Sequence, residues 1–384
     1  MANNKTFKIK NGLQAGRYLG SNGTETAVSE RYDLAGASYD SISFSTNTQI
    51  TTGSNYDVAF SSDGSIMYAN AFNMSTVFQY SLSSPWNIST ASYSSKSYNY
   101  SSTVSSVFAI DFSTDGTNLY LLGQDADTVY QFNLSTAWDL STSSYASKSY
   151  AVSQDNSNEA LKFNSDGTKL YTGGSATDTI YQHSLSTAWD LSTASYTSTS
   201  FSASSQDTRV RSLDFNSTGT KMYICGADTD TVYQYSLSTA SDLSTASYDN
   251  INFSVASQET NPYGFCFGKN GLKMYLSGTS SDVIYQYTTG INSNTLDLST
   301  GNTFSITPTE ALDVLFTNPP ASGTAVGFTL EVNNTGGYAL TWPSSVKWHL
   351  GTAPTATASK ELYTFVTTDG GTTYYGKLAG SNIA

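Results

Sequence analysis

Residues Val107 to Tyr150 read VFAIDFSTDGTNLYLLGQDADTVYQFNLSTAWDLSTSSYASKSY, and the chain repeats this sentence five times. Its central glutamine recurs as Gln79, Gln131, Gln182, Gln234 and Gln286, at spacings of 52, 51, 52 and 52 residues. A period this regular means that each copy is one supersecondary unit. Each copy reads as four strands. Strand a is the VFAIDF type: Val58-Ala59-Phe60, Ile110-Asp111-Phe112, Leu161-Lys162-Phe163, Leu213-Asp214-Phe215 and Phe265-Cys266-Phe267. A turn follows at Asp63-Gly64, Asp115-Gly116, Asp166-Gly167, Thr218-Gly219 and Asn270-Gly271, where glycine supplies the positive φ that a tight hairpin needs.

Strand b carries Tyr68, Tyr120, Tyr171, Tyr223 and Tyr275; strand c is the TVYQY type; LSTAWDLSTASY then crosses to strand d. Four short strands in about 52 residues, with no apolar 3.6 period, predict four-stranded antiparallel blades of a β-propeller, an extended β-array being the lesser alternative. The ends of the array predict closure. Residues 32–39, YDLAGASY, match WDLSTASY but have no a, b or c strand before them, while the fifth copy ends after its strand c near Tyr287. Residues 37–44, with Ile42 and Phe44, are therefore expected to complete the fifth blade and hide its open edge. The expected architecture is all-β: a five-bladed propeller over 33–290, an N-terminal β entry segment over 1–32, and a small antiparallel β-sandwich-like domain over 291–384.

The entry segment alternates Phe7, Ile9 and Leu13 with polar residues, and places a short strand at Arg17-Tyr18-Leu19 before Ser21-Asn22-Gly23. So little structure cannot bury a core alone and must pack on another body, unless it is a simple extension. Beyond the array, Phe328, Leu330 and Val332 alternate, and Tyr338 to Trp348 and Leu362 to Phe365 add further short strands.

Composition narrows the function. Across 384 residues, 17 Lys and Arg oppose 30 Asp and Glu, a net charge of −13 that would repel a phosphate backbone. Nucleic acid is not an expected partner. Charged residues are 12%, against 28 tyrosines and 13% aromatics, which suits sheets with a neutral polar surface rather than disorder. No run is apolar enough for a membrane span and no secretory leader is visible, so synthesis in a host cytoplasm without membrane insertion is expected. Cys225 and Cys266 fall in strand-like runs and read as buried thiols.

In a propeller the b–c and d–a loops share one face. That face gathers Asp125, Asp127, Asp178, Asp228, Asp230 and Asp282 from the b–c loops, and Asp155, Asp207 and Glu259 from the Ser-Gln-acid d–a loops. Carboxylates beside Ser, Gln and Asn can hydrogen-bond sugar hydroxyls or take a hard cation such as calcium. Repeated Asp before Thr also fits a turn that merely caps each loop. Arg209 and Arg211 have no counterpart in the other copies and break the symmetry there. The candidate ligand-binding set is Asp155, Asp207, Arg209, Arg211, Glu259, Asp125, Asp127, Asp228 and Asp230. On the opposite face Trp86, Trp138 and Trp189 could stack on sugar rings or wedge between blades, and Ser241 replaces the fourth.

With His183 and His349 as the only histidines, a Ser-His-Asp site or a His-rich metal centre has no support, and no catalytic residue is assigned. A two-carboxylate glycosidase on the acidic face is the enzymatic alternative.

The stretch TWPSSVKWHLGTAPT, followed by YTFVTTDGGTTYYGKLAG, resembles a C-terminal module of tailed-bacteriophage virion and tail-fibre proteins. TFKIKNGLQAG is similar to the starts of phage fibre proteins, and the repeat to propeller repeats of phage and marine bacterial proteins. His349 departs from the small residue expected at its place. The resemblance implies a non-catalytic virion protein (tail fibre, spike or capsid appendage) with other virion proteins as partners. It also implies host-surface or glycan adhesion and a homo-oligomer, by default a trimer. A purely structural decoration protein is the runner-up.

Overall fold

The computed structural model describes residues 32–384, except 53, 125–126, 269–270, 290–292, 309–311 and 384, together with the short strands Tyr18–Leu19 and Glu25–Thr26. The chain divides into two compact units, Arg31–Gly290 and a second made of Met1–Glu30 with Ile291–Ala384.

The first unit is a five-bladed propeller of four-stranded antiparallel sheets. Blade I comprises Asn55–Phe60, Ile66–Ala71, Thr76–Leu82 and Ala91–Asn99 as strands a to d. Blades II, III and IV repeat the pattern from Val107, Asn158 and Val210. Blade V takes strands a to c from Pro262–Gly268, Lys273–Gly278 and Val283–Thr288, and its strand d is Ser38–Ser45 from the other end of the chain. The closing ladder pairs Val283 with Ser45, Gln286 with Ile42 and Thr288 with Ser38. The expected closure is therefore observed, one residue from its expected bounds.

Each c–d ladder breaks register just after the repeated glutamine. The residue that absorbs the break adopts positive φ: Ser41, Ser95, Ser147, Ser198 and Asn250, at 56 to 59°. Small polar side chains tolerate this bulge geometry.

The repeated residues explain why the blades hold together. Each glutamine accepts, through Oε1, the backbone N–H of Leu or Ile in the next blade's c–d loop: Gln79 from Leu140, Gln131 from Leu191, Gln182 from Leu243, Gln234 from Leu34 and Gln286 from Ile88, at 3.0 to 3.1 Å. Each strand-b tyrosine donates its hydroxyl to a carbonyl in the same loop: Tyr68 to Trp138, Tyr120 to Trp189, Tyr171 to Ser241 and Tyr275 to Trp86, all at 2.6 Å, and Tyr223 to Tyr32. Both circuits close through the N-terminal segment, because Tyr32 and Leu34 stand where the other blades place Trp and Leu. Buried polar atoms must be paired, so each latch is directional as well as stabilising.

The tryptophans are wedges. Trp86, Trp138 and Trp189 lie against Gly64, Gly116 and Gly167 of their own a–b turns, whose φ is 72 to 73°; a Cβ there would meet the indole at 2.1 to 2.2 Å. Trp86 also closes on Gly268 of the neighbouring blade V, leaving about 2.4 Å to a Cβ built there. Glycine is required by the turn and by the ring above it.

The second unit contains a two-sheet sandwich around Leu296, Ile306, Val314, Phe328, Leu330 and Phe365. One of its sheets is parallel and the other mixed, rather than both antiparallel. Ser293–Asp297, Leu312–Thr317 and Leu340–Thr341 pair in parallel. The other sheet orders Thr303–Ile306, Val326–Asn333, Lys360–Thr367, Tyr374–Ser381 and Val346–Trp348, with antiparallel pairs in its middle and parallel pairs at its edges. The chain steps alternately between the two sheets over its first six strands, so successive strands of one sheet run the same way. His349 is exposed in a short turn, His349–Gly351. Tyr18–Leu19 pairs with Glu25–Thr26, and Phe7, Ile9 and Leu13 lie outside the described residues. Among the described residues, no helix is long and apolar enough to cross a membrane.

Candidate functional site: the loop face and the central well

The b–c and d–a loops do meet on one face, and the hydrogen bonds between them show what the predicted acids do. Asp155 is 2% exposed and accepts from Ser157 N, Thr177 N and Thr177 Oγ1. Asp207, also 2% exposed, repeats this with Arg209 N, Thr229 N and Thr229 Oγ1. Glu259, 1% exposed, accepts from Asn261 N, Ser280 N and Ser281 Oγ. These three carboxylates sew each d–a loop to the adjoining b–c loop, and their oxygens point inward. The expectation that they present themselves to a ligand is corrected here: loops carry backbone N–H groups that need acceptors, and a buried carboxylate supplies several.

The b–c aspartates have a conformational reason. Asp127, Asp178, Asp230 and Asp282 all sit at φ of 43 to 53°, a region that Asp tolerates better than most residues. The Asp127 carboxylate accepts from Asn158 N at 3.2 Å, and that of Asp282 from Asn55 N at 3.2 Å. Asp228 is exposed and accepts from Thr208 Oγ1. Burial, with Asp155 and Asp228 nearby, raises the pKa of Asp178; burial and then Glu259 raise that of Asp230. Asp125 lies outside the described residues. Among the described residues no three His, Cys, Asp or Glu side chains come together as a metal-binding group, so no calcium ligand set is assigned.

Arg209 is exposed, whereas Arg211 turns inward. Arg211 pairs with Glu159 and lies 3.9 Å from the ring centroid of Tyr263. In the aligned repeat, position 211 corresponds to Tyr56, Phe108, Glu159 and Tyr263. Tyr56 packs at 4.2 Å from Tyr263 and 5.6 Å from Phe108. Five side chains of four kinds thus meet at one level of the innermost strands and plug that end of the central channel.

Beyond the plug the channel widens into a cavity of about 380 Å³. Its rim carries the exposed turn residues Ser62, Thr114, Ser165 and Ser217, on the face of the a–b and c–d loops. Its wall holds a varied column of the repeat: Ala59, Asp111, Lys162, Asp214 and Cys266, with Asp57 two residues deeper. Lys162 Nζ lies 3.2 Å from Asp111 and 3.3 Å from Asp214. Burial opposes the Lys162 charge, but these two carboxylates more than offset it and raise its pKa.

Asp57 has no ion-pair partner among the described residues. Its oxygens accept from Ile110 N at 2.7 Å and Val58 N at 2.8 Å. Burial pushes its pKa up to about 7, against the pull of those N–H groups. The Cys266 thiol is also pushed up by burial and is inert as a nucleophile. His183 is fully buried between the Tyr150 hydroxyl and Thr172 Oγ1, with its pKa lowered to about 4 by burial, so it is a neutral core residue.

The well's residues lie in strand a, outside the candidate set drawn from the loops. The signal was available: within an otherwise repeated strand, one column reads Ala, Asp, Lys, Asp and Cys.

No family model and no curated protein matches the chain. Solved structures that it resembles include a functionally unknown protein from Desulfotomaculum acetoxidans, with 13% identity over 58% of this chain and 62% of that one, TM-score 0.37. A second is a chain of the mitotic checkpoint complex, with 15% identity over 59% and 61%, TM-score 0.37. A third is a candidate 6-phosphogluconolactonase from Bacteroides uniformis, with 13% identity over 58% and 64%, TM-score 0.39. The chain spans about six tenths of the length of these structures. Such distant likenesses assign no activity.

Proposed function

We propose that the chain is a non-catalytic structural protein of a tailed-bacteriophage virion, a fibre, spike or capsid appendage whose propeller contacts the host surface. The observation that carries this reading is that the repeated polar residues build the ring. The five glutamines and five tyrosines latch blade to blade, and Asp155, Asp207 and Glu259 tie loop to loop. The product is a latched ring within an acidic chain that also carries a separate β unit. The glycosidase alternative needs two carboxylates in reach of water and substrate, and on the acidic face the d–a carboxylates are buried in hydrogen bonds. The sequence resemblance of the C-terminal stretch and of the entry segment supports the virion setting. Multiple copies on one particle would turn weak surface contacts into firm attachment.

The test is to raise antibody against the full chain and probe purified virions, then to measure binding of bead-displayed full chain to host cells. Presence in the particle and saturable cell binding are expected. A chain absent from virions overturns the reading; presence without cell binding leaves the purely structural role.

A further inference from the structure

The plugged end of the channel, the open rim and the unequal charges inside it converge on one use. We propose that the central well binds a small organic ammonium ion, seated over Asp57 within a partly aromatic wall.

Charge complementarity comes first. The well holds three carboxylates and one ammonium, and that ammonium already serves Asp111 and Asp214. Asp57 is 6% exposed and forms no ion pair among the described residues. A buried carboxylate without a cation is unfavourable when ionised, and an incoming cation relieves that penalty. An anionic ligand would meet the excess of carboxylates, and a neutral one would leave Asp57 as it was.

Shape comes second. The Tyr56, Phe108, Glu159, Arg211 and Tyr263 level closes the floor, so a ligand enters from the a–b and c–d face and stops in the well. A volume of about 380 Å³ suits a small molecule rather than a bare ion. Trp86, Trp138, Trp189 and Tyr32 stand at the wall, where aromatic rings favour an organic cation.

Symmetry comes third. The latch positions repeat in every blade, but Asp57 corresponds to Ala109, Ala160, Ser212 and Gly264, and Lys162 occurs once. The other four junctions close with Ala, Ser or Gly where blade I has Asp57.

Binding carries a pH signature. The groups that face the Asp57 region are Lys162, Asp111, Asp214, Cys266 and Tyr32. Lys162 keeps its proton, and Cys266 and Tyr32 stay neutral, because their pKa values are raised. Burial raises the pKa of Asp111 as well, against the pull of Lys162, and pushes that of Asp57 up to about 7, so affinity rises between pH 6 and pH 8 as Asp57 ionises.

The inference does not depend on the virion reading; a chain absent from particles could still bind the cation. The experiment titrates the full chain with choline, using 3,3-dimethyl-1-butanol as the uncharged isostere. Saturable choline binding is expected, with at least about tenfold weaker binding of the alcohol, since a 1.4 kcal/mol difference is tenfold. Asp57→Asn should weaken choline binding by about tenfold or more, and the wild type should bind more tightly at pH 8 than at pH 6. Absence of binding, equal binding of the alcohol, or an unchanged Asp57→Asn variant overturns the proposal. If that variant does not fold, the isostere comparison and the pH dependence of the wild type decide it.

Discussion

The two ends of the propeller's innermost strands use sequence in opposite ways. Toward the b–c loops, acids recur from copy to copy, and those of the d–a loops, Asp155, Asp207 and Glu259, are buried and hydrogen-bonded into the scaffold. Toward the a–b loops, one column of the well reads Ala59, Asp111, Lys162, Asp214 and Cys266, and there Asp57 stands without an ion pair among the described residues. Agreement among the repeats marks construction, because five equivalent blade junctions need five equivalent fastenings. Disagreement marks the places where the ring does not dictate the residue. Predictions from this contrast run from the fastening that closes the whole circle to single hydroxyls.

Removing residues 1–45 takes away strand d of blade V and the Tyr32 and Leu34 ends of both latch circuits. It leaves an open strand edge. The melting temperature should fall by more than about 10 °C, equivalent to several kcal/mol in a unit of this size. A melt within a degree or two of the wild type would break the closure account.

Changing Gln131 to Ala leaves the Leu191 N–H buried and unpaired. A loss of about 1–3 kcal/mol is expected in chemical denaturation. The same change at Gln79 or Gln286 should cost a similar amount, since the junctions are equivalent. Unequal losses would show that the ring has a weak seam.

Two buried titratable groups predict opposite pH effects. His183 has a folded pKa of about 4, below its unfolded value of 6.5. Between those values only the unfolded chain takes up the proton, so stability present above pH 6.5 is lost as pH falls toward 4. His183→Phe, which installs the residue that blade II carries at Phe132, should remove that acid sensitivity in melts at pH 7 and pH 5. Asp57 runs the other way. Its folded pKa of about 7 exceeds the ordinary carboxylate value of 3.8, so its favourable contribution, present at low pH, is lost as pH rises through 7. Relative to Asp57→Asn, the wild type should therefore be more stable at pH 5 than at pH 8; equal pH profiles would deny Asp57 its uncompensated setting.

Tyr171→Phe removes one hydroxyl donor to the Ser241 carbonyl. It should cost only about 1 kcal/mol, the smallest of these effects. Ser241 occupies a tryptophan's place, yet keeps the backbone φ of 59° and the carbonyl that the latch requires. An effect much larger than that at Tyr120 would mean the missing indole had made this junction depend on its hydroxyl.

Much of the ring was readable before any coordinates. The Asp-Gly turns gave strand ends, the glutamine period gave blade number, and the orphan YDLAGASY gave the closing strand. Those signals are local or periodic. The fate of the loop acids was not readable, because Asp155 meets Thr177 across 22 residues, and only the folded loops show that its oxygens are already taken. Strand direction in the C-terminal sandwich was hidden for a related reason: alternation marks each strand but does not say in which sheet its neighbour lies. The well was readable in principle. Its residues were in plain view in strand a, but a channel lining exists only once five strands stand side by side.

The contrast between the two kinds of position can be tested in one paired measurement on the full chain: Gln131→Ala and Asp57→Asn, each assayed by thermal melt at pH 8 and by choline titration. The account predicts that Gln131→Ala lowers the melting temperature with choline affinity kept, and that Asp57→Asn weakens choline binding by about tenfold or more, whatever it loses in stability by having one acceptor oxygen for the Ile110 and Val58 N–H groups. If Gln131→Ala loses choline binding without losing stability, or Asp57→Asn loses stability while keeping the ligand, the division between construction and function is wrong.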